Sequence, residues 1–406
     1  MKIKFNNLCY GVLLVLFCTR RFWGSDIPWY INPVISIIGI FLLFQINRFK
    51  IKLNKQIYIN AILAIAPLIL IVMYSLLLWF FKWEIQPRHV VTNLFSSNLY
   101  MILSVLFASS VYYVFGNNGI NLTYRSACIS YILGSVIYII FQFGFKESLF
   151  YLVTSSSINN SLLFSMEVND LTFAFGILFI YYLFFGEEQK NRRKIIIVCS
   201  IMIYWGLKRI EIAALLVCCL CYILFIKKCR IRTSKIIITI SVMLVSYIYV
   251  MFIHTSALTD LASKYQINFM GRLGTYSYIA QNYSNFSFSF MGRGVGYIDE
   301  LIESLQSTNL KIGYATIISL HSDTLRMYIG LGFLGFGLWI FYQIYVRASL
   351  MKRYFSDKTI KLYLTLSIYN FILYLNDNTY TYPVTCFTFV LVLLSTFEGS
   401  SLKKVV

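Results

Sequence analysis

The chain has 406 residues, of which 59% are hydrophobic and 13% charged, with a net charge of +19. A soluble protein runs nearer half apolar and a quarter charged, so this composition makes lipid the solvent for much of the chain. The basic residues fall in short clusters between apolar stretches and form no continuous polar face, which argues against nucleic acid as the partner of the positive charge.

The first apolar stretch, 7–23, follows Lys2 and Lys4 as a signal peptide would, but Arg20 and Arg21 stand where small residues would mark a cleavage site. It reads as a retained first helix. Further stretches able to cross a hydrocarbon core of about 30 Å run near 31–46, 58–81, 92–115, 126–145, 168–186, 194–207, 210–226, 236–253, 323–346, 362–376 and 383–397. The expected fold is therefore an all-α polytopic membrane protein of about a dozen transmembrane helices, with both termini on the same side. The seventh stretch is short and the Lys208-Arg209 turn after it is tight, so the seventh and eighth are the pair on which this count depends.

Charge assigns the sides. With a cytoplasmic N-terminus, the inner segments hold the clusters Lys2 to Lys4, Arg48 to Lys55, Lys190 to Lys194, Lys227 to Lys235, Arg347 to Lys361 and Lys403 to Lys404, together with Arg125. The acids there are Glu187, Glu188, Asp357 and Glu398. The positive-inside rule thus accounts for the net charge as a topology signal. It places both termini in the cytoplasm and divides the chain into transmembrane helices over 1–253, one large extracytoplasmic loop over 254–322, and further transmembrane helices over 323–406.

That loop is too long for a simple connection. It is also too aromatic for a solvated tether, with Tyr265, Phe269, Tyr276, Tyr278, Tyr283, Phe286, Phe288, Phe290, Tyr297 and Tyr314. Helical spacing shows in Leu273, Tyr276 and Ala280, and again in Ile298, Leu301, Ile302 and Leu305, whose opposite face carries Asp299, Glu300 and Glu303. Gly292, Gly294 and Gly296 read as the turn between the two. The expected structure is an ordered cap with short helices, lying on the membrane surface.

Three constellations offer chemistry. At the end of the cap, His321 precedes Ser322, Asp323, Thr324, Leu325 and Arg326 in a chain with only three histidines. A neutral imidazole there suits a general base on a hydroxyl; the plainer alternative is a helix cap by Ser322 or Asp323 beside a bystander histidine. Four cations on the outer side, Arg209, Arg272, Arg293 and Arg326, run against the charge bias and offer forks matched to phosphate oxygens. Each of them equally suits simple pairing with an outer acid. Glu167 and Asp170, three residues apart, share a face near the outer end of the sixth stretch, where carboxylates are costly and face a cavity or pair with a cation for packing.

The nine cysteines avoid the loop, and Cys218, Cys219 and Cys221 lie mid-helix with no nearby histidine, so neither a disulfide framework nor a zinc site is expected. No nucleotide-binding, serine-hydrolase or zinc-protease motif is present. An inverted repeat with interrupted helices, the usual transporter signature, is not evident.

Over residues 160–346 the chain resembles the Wzy-type O-antigen and capsular polysaccharide polymerases, which are related to the O-antigen ligases. The likeness rests on Leu207-Lys208-Arg209 before Ala213-Ala214-Leu215-Leu216, and on Gly271-Arg272-Leu273 early in the loop. It continues with the Gly292 to Gly296 run and His321-Ser322-Asp323-Thr324-Leu325 before Gly330, Gly332, Gly335 and Gly337. It departs at Ser322, where asparagine is commoner, and at Lys208, where a small residue is.

The resemblance implies a GT-C-like, inverting glycosyltransferase without metal or other cofactor, working on the outer face of the cytoplasmic membrane. The donor would be an oligosaccharide on undecaprenyl pyrophosphate, and the acceptor the terminal sugar of another lipid-linked repeat. His321, Arg209 and Arg272 would be catalytic, with Arg293, Arg326, Glu167, Asp170 and Asp323 binding substrate. A chain-length regulator and a flippase are the implied partners besides membrane lipids. Alternatives are an O-antigen ligase delivering the chain to a lipid A-core sugar, a lipid-linked oligosaccharide flippase, and a non-enzymatic scaffold.

Overall fold

A computed structural model describes residues 2–19, 31–48, 50–51, 54–82, 88–133, 169–187, 189, 191–206, 208–266, 272–307, 311–312, 315–316 and 320–397. The apolar stretches of the sequence are helical where they are described, and residues 134–145 of the fifth lie outside the described residues. Among the described residues, five helices are long and apolar enough to cross a membrane, namely Lys55–Phe81, Val90–Phe115, Arg209–Ile226, Ile231–His254 and Asp323–Met351. Asn6–Thr19, Ile31–Ile46, Asp170–Phe184 and Pro383–Leu394 are apolar but shorter. The helices on the seventh and eighth stretches are separate, one ending at Gly206 and the next starting at Arg209.

Two compact units form, and neither is continuous in sequence. The first comprises Met1–Ile62, Tyr100–Leu215 and Tyr382–Val406; the second comprises Leu63–Leu99 and Leu216–Thr381.

The first unit is closed by aromatic packing and small residues. Phe107 stacks near Tyr10 and meets Phe17 and Phe387 edge-on or tilted, at centroid distances of 6.5, 5.4 and 5.2 Å. A β-carbon at Gly39 would lie 2.2 Å from the Phe107 ring, and one at Gly206 would lie 2.4 Å from Thr172. These glycines let helices approach where lipid supplies no hydrophobic drive for association. The Tyr10 hydroxyl donates to the Gly39 carbonyl at 2.8 Å, so the closest approach is also hydrogen-bonded.

The second unit is built around Asp357–Asn376, a helix buried on almost every face. Its cap region contains three helices, Ala257–Lys264, Arg272–Tyr283 and Tyr297–Ser307. The last two cover the two helical patterns seen in the sequence, while Ala257–Lys264 has no counterpart among them. Lys311–Ile312 and Ala315–Thr316 pair as a minimal antiparallel ladder, the only strands among the described residues.

The glycine run 292–296, expected as a turn, is a turn at its end, where Tyr297 N–H donates to the Gly294 carbonyl, and residues 290–294 before it form a strap. Helix Asp323–Phe341 breaks at Gly332, whose φ is 73°. The break frees backbone groups that a continuous helix would pair, and the strap takes them up. Arg293 N–H donates to the Ile329 carbonyl, Gly294 N–H to the Gly330 carbonyl, and Phe333 N–H to the Phe290 carbonyl, at 2.9, 2.9 and 2.8 Å.

Helix Lys55–Phe81 holds the other edge of the strap. There the Tyr74 hydroxyl, Lys82 Nζ and Trp79 Nε1 donate to the carbonyls of Met291, Gly292 and Arg293 at 2.7, 2.8 and 2.8 Å, and Val295 N–H donates to Ser75 Oγ.

Glycine is required at this crossing for two reasons. Gly292 and Gly332 both have positive φ, and a β-carbon on either would fall within 2.5 Å of backbone atoms of the other. Gly116 offers a comparison, since it has φ of 53° with no atom near its missing β-carbon. We predict that Gly116→Ala costs about 1 kcal/mol, the left-handed strain alone. Gly292→Ala and Gly332→Ala should cost roughly 2–4 kcal/mol, since overpacking against backbone adds to it. Thermal unfolding of the purified variants in detergent measures the difference.

Candidate functional site

The histidine motif singled out in the sequence falls at the start of helix Asp323–Phe341, within the second unit. Ser322 caps this helix by accepting from Leu325 N–H at 3.2 Å, the plainer of the two roles considered for the motif. The same hydroxyl lies 3.4 Å from the Tyr374 carbonyl. Residues 320–326 are thereby tied to the C-terminal end of helix Asp357–Asn376.

Helix Arg272–Tyr283 meets that junction. Arg272 and Tyr276 are four residues apart and so lie on one face. Arg272 Nη1 donates to the Asn376 carbonyl at 3.2 Å, a cation at the negative end of a helix. Tyr276 is fully buried and its hydroxyl donates to the His321 carbonyl at 2.6 Å. Burial, with Tyr249 nearby, pushes the Tyr276 phenol well above the usual tyrosine range, so it remains a donor at neutral pH. One turn of helix therefore relates the guanidinium of Arg272 to the backbone of His321, which is itself half-buried.

Asp323 is wholly buried. Its backbone N–H donates to the Asp377 carbonyl at 3.2 Å, and its Oδ2 accepts from Tyr380 N–H at 2.7 Å. Its Oδ1 makes no hydrogen bond. The carboxylate thus locks the 377–380 turn with one oxygen and keeps the other as an acceptor.

Arg326 pairs with Asp299 of helix Tyr297–Ser307, Nη1 to Oδ1 at 3.0 Å, while its Nε is buried without a hydrogen bond. Simple pairing with an acid, one of the two readings of the outer arginines, accounts for this contact. Arg293 is fixed through its backbone in the strap; its guanidinium lies 5.9 Å from the Tyr297 ring, and its Nε is also buried without a hydrogen bond. Arg272, His321, Asp323, Arg326 and Arg293 thus all belong to one compact unit.

Two further candidates lie in the first unit. Arg209 is exposed at the start of its helix. Asp170 is buried and receives Val384 N–H at 3.0 Å, Thr385 N–H at 2.8 Å and the Thr385 hydroxyl at 2.8 Å. It serves the N-terminus of helix Pro383–Leu394, where a carboxylate satisfies orphan donors and favours the helix dipole. The alternative to a substrate role was a packing role, and the geometry gives Asp170 one, with backbone N–H groups as its partners. Glu167 lies outside the described residues.

Sequence reasoning passed over Glu211, which is fully buried two residues after Arg209. Its signal was available, since an acid inside an apolar helix is costly and needs a reason. Tyr276, Asp377 and Tyr380 were also passed over as partners of the motif, because hydroxyls and turn residues carry no local periodic mark.

Among the described residues, no group of three or more His, Cys, Asp or Glu side chains is arranged to hold a metal ion. No protein-family model matches the chain, and neither does any curated protein.

Asp170→Ala should destabilise the protein by roughly 2–3 kcal/mol, because charge-assisted bonds are lost and buried N–H donors are left open. Asp170→Asn should recover part of that loss, as it keeps one acceptor. Unfolding temperatures of both variants against the parent provide the check, and a drop in activity without a drop in stability would return Asp170 to the substrate-binding residues.

Proposed function

We propose that the protein is a polysaccharide polymerase. In this reading it joins oligosaccharide repeats carried on undecaprenyl pyrophosphate at the outer face of the bacterial cytoplasmic membrane, by inverting glycosyl transfer. A dozen crossings, cytoplasmic termini and an outer position of the 254–322 region belong to the same reading. The observation that carries it is the link from Arg272 through Tyr276 to His321, because it brings the cation and the base of the resembling family onto one rigid junction.

The reaction needs a base for the acceptor hydroxyl and positive charge for the departing pyrophosphate. His321 takes the hydroxyl proton as the acceptor oxygen forms its bond to the anomeric carbon. The bond from that carbon to the pyrophosphate oxygen breaks, and both electrons leave with the lipid pyrophosphate. Arg272 stabilises the charge that develops there, an interaction stronger in the transition state than in the ground state. Its contact with Asn376 engages one end of the guanidinium and fixes the fork, so little ordering is left to pay for on binding.

Asp323 presents its second oxygen to a sugar hydroxyl. Arg293 and Arg326 each have a buried Nε to offer the same ligand, and Arg209 is assigned to the phosphates by the family resemblance.

The test uses cells lacking the native copy and, in parallel, purified protein with one defined lipid-linked repeat. His321→Ala is expected to lower turnover by about 10²–10⁴-fold, the usual contribution of a positioned base, with single lipid-linked repeats accumulating. Polymer of parental amount and length in that variant would remove His321 as the base. Arg272→Lys and Arg209→Lys retain charge but lose the bidentate fork. Activity should fall in each, and full activity in either would mean that the residue supplies charge balance alone. A product attached to lipid A-core in place of a growing ladder would favour the ligase.

A further inference from the structure

The strap lies against two helices that are each long and apolar enough to cross a membrane, Lys55–Phe81 and Asp323–Met351. It meets Lys55–Phe81 from Tyr74 to Lys82, just past the helix end, and meets Asp323–Met351 well inside that helix, at residues 329–333. Tyr74, which binds the Met291 carbonyl, is about 10 Å along the helix from Phe81, and Gly332 is about 14 Å along from Asp323, at 1.5 Å per residue. Charge patterning puts both of those helix ends on the outer side.

Irregular backbone is tolerated at hydrocarbon depth only where its polar groups are satisfied by protein. The carbonyls of Phe290, Met291, Gly292, Arg293 and Gly294 each accept a hydrogen bond, from Phe333 N–H, Tyr74, Lys82, Trp79 and Tyr297 N–H respectively. Five successive paired carbonyls suit a strap taken out of water. Its side chains agree with this placement. Phe286 and Phe290 turn inward onto Tyr328, at centroid distances of 6.0 and 5.7 Å. Phe288, between them, packs one edge on Phe333 at 4.4 Å and remains 76% exposed, while Met291 is 61% exposed. They share this character with Leu334 and Leu338, exposed apolar residues on the broken helix itself.

From these observations we infer that residues 286–296 form a re-entrant element inserted into the outer leaflet, with Phe288 and Met291 against lipid acyl chains. This differs from a cap resting on the membrane surface, and it does not depend on the reaction proposed above. Lys82, with its amine on the Gly292 carbonyl, and Trp79, with its ring nitrogen on the Arg293 carbonyl, then mark the level of the headgroups, where such side chains anchor.

The experiment places p-benzoylphenylalanine at Phe288, and in a second variant at Met291, in the full chain within phospholipid vesicles. After irradiation, intact-mass analysis reads the phospholipid adduct. Leu338 serves as the lipid-facing reference, and Glu303, on the exposed face of helix Tyr297–Ser307, as the aqueous one. The adduct yield at Phe288 and Met291 should approach that at Leu338 and exceed that at Glu303 several-fold. Yields at both sites no higher than at Glu303, or cross-links to a second copy in place of lipid, would overturn the inference. Should one variant fold poorly, the other carries the test.

Discussion

The second unit depends on an exchange of hydrogen bonds between a broken helix and a strap. At Gly332 the helix gives up its own ladder, and in a hydrocarbon environment each unpaired backbone group would cost several kcal/mol. Arg293 and Gly294 donate to the freed carbonyls, and Phe290 accepts from the freed N–H. The break and the strap are therefore mutually required. A continuous helix would leave the N–H groups of Arg293 and Gly294 and the Phe290 carbonyl without partners, and a displaced strap would leave the helix with buried orphans. Helix Tyr297–Ser307 follows the strap directly, so this exchange fixes where the last helix of the cap begins.

The candidate site inherits that rigidity. His321 stands just before the Ser322 cap of the same broken helix, Arg326 on its first turn and Asp299 on the helix that leaves the strap, so the Arg326–Asp299 ion pair joins the two sides of the crossing. Tyr276 then ties Arg272 to the His321 backbone. Arg272 and Asp323 are oriented by backbone groups, and Arg326 by a carboxylate. Side chains held in this way lose little freedom on binding, as the proposed contact with a pyrophosphate would require.

Much of the helical order was legible from sequence, because apolar runs of the right length admit little else in lipid. The helices Arg272–Tyr283 and Tyr297–Ser307 were legible for a related reason, as Leu273, Tyr276 and Ala280, and likewise Ile298, Leu301 and Leu305, repeat at helical spacing and are buried. The strap was not legible. Its glycines look like any turn until it is known that residues 290–294 lie against 329–333, and that Tyr74 and Trp79 reach them from more than 200 positions away. Asp170 was misleading for the same reason. Its partners are two backbone N–H groups and the Thr385 hydroxyl, and backbone groups have no sequence signature, whereas the cation considered for it would have one.

Asp170 also bears on how the chain is made. Its partners Val384 and Thr385 follow it by 214 and 215 residues. During synthesis, helix Asn169–Phe184 is therefore made long before the donors that seat its acid in the finished fold. The first unit cannot close until helix Pro383–Leu394 arrives, so that helix acts as a keystone. A chain halted before Pro383 would lack every donor that Val384 and Thr385 bring to Asp170, and the first unit would stay open.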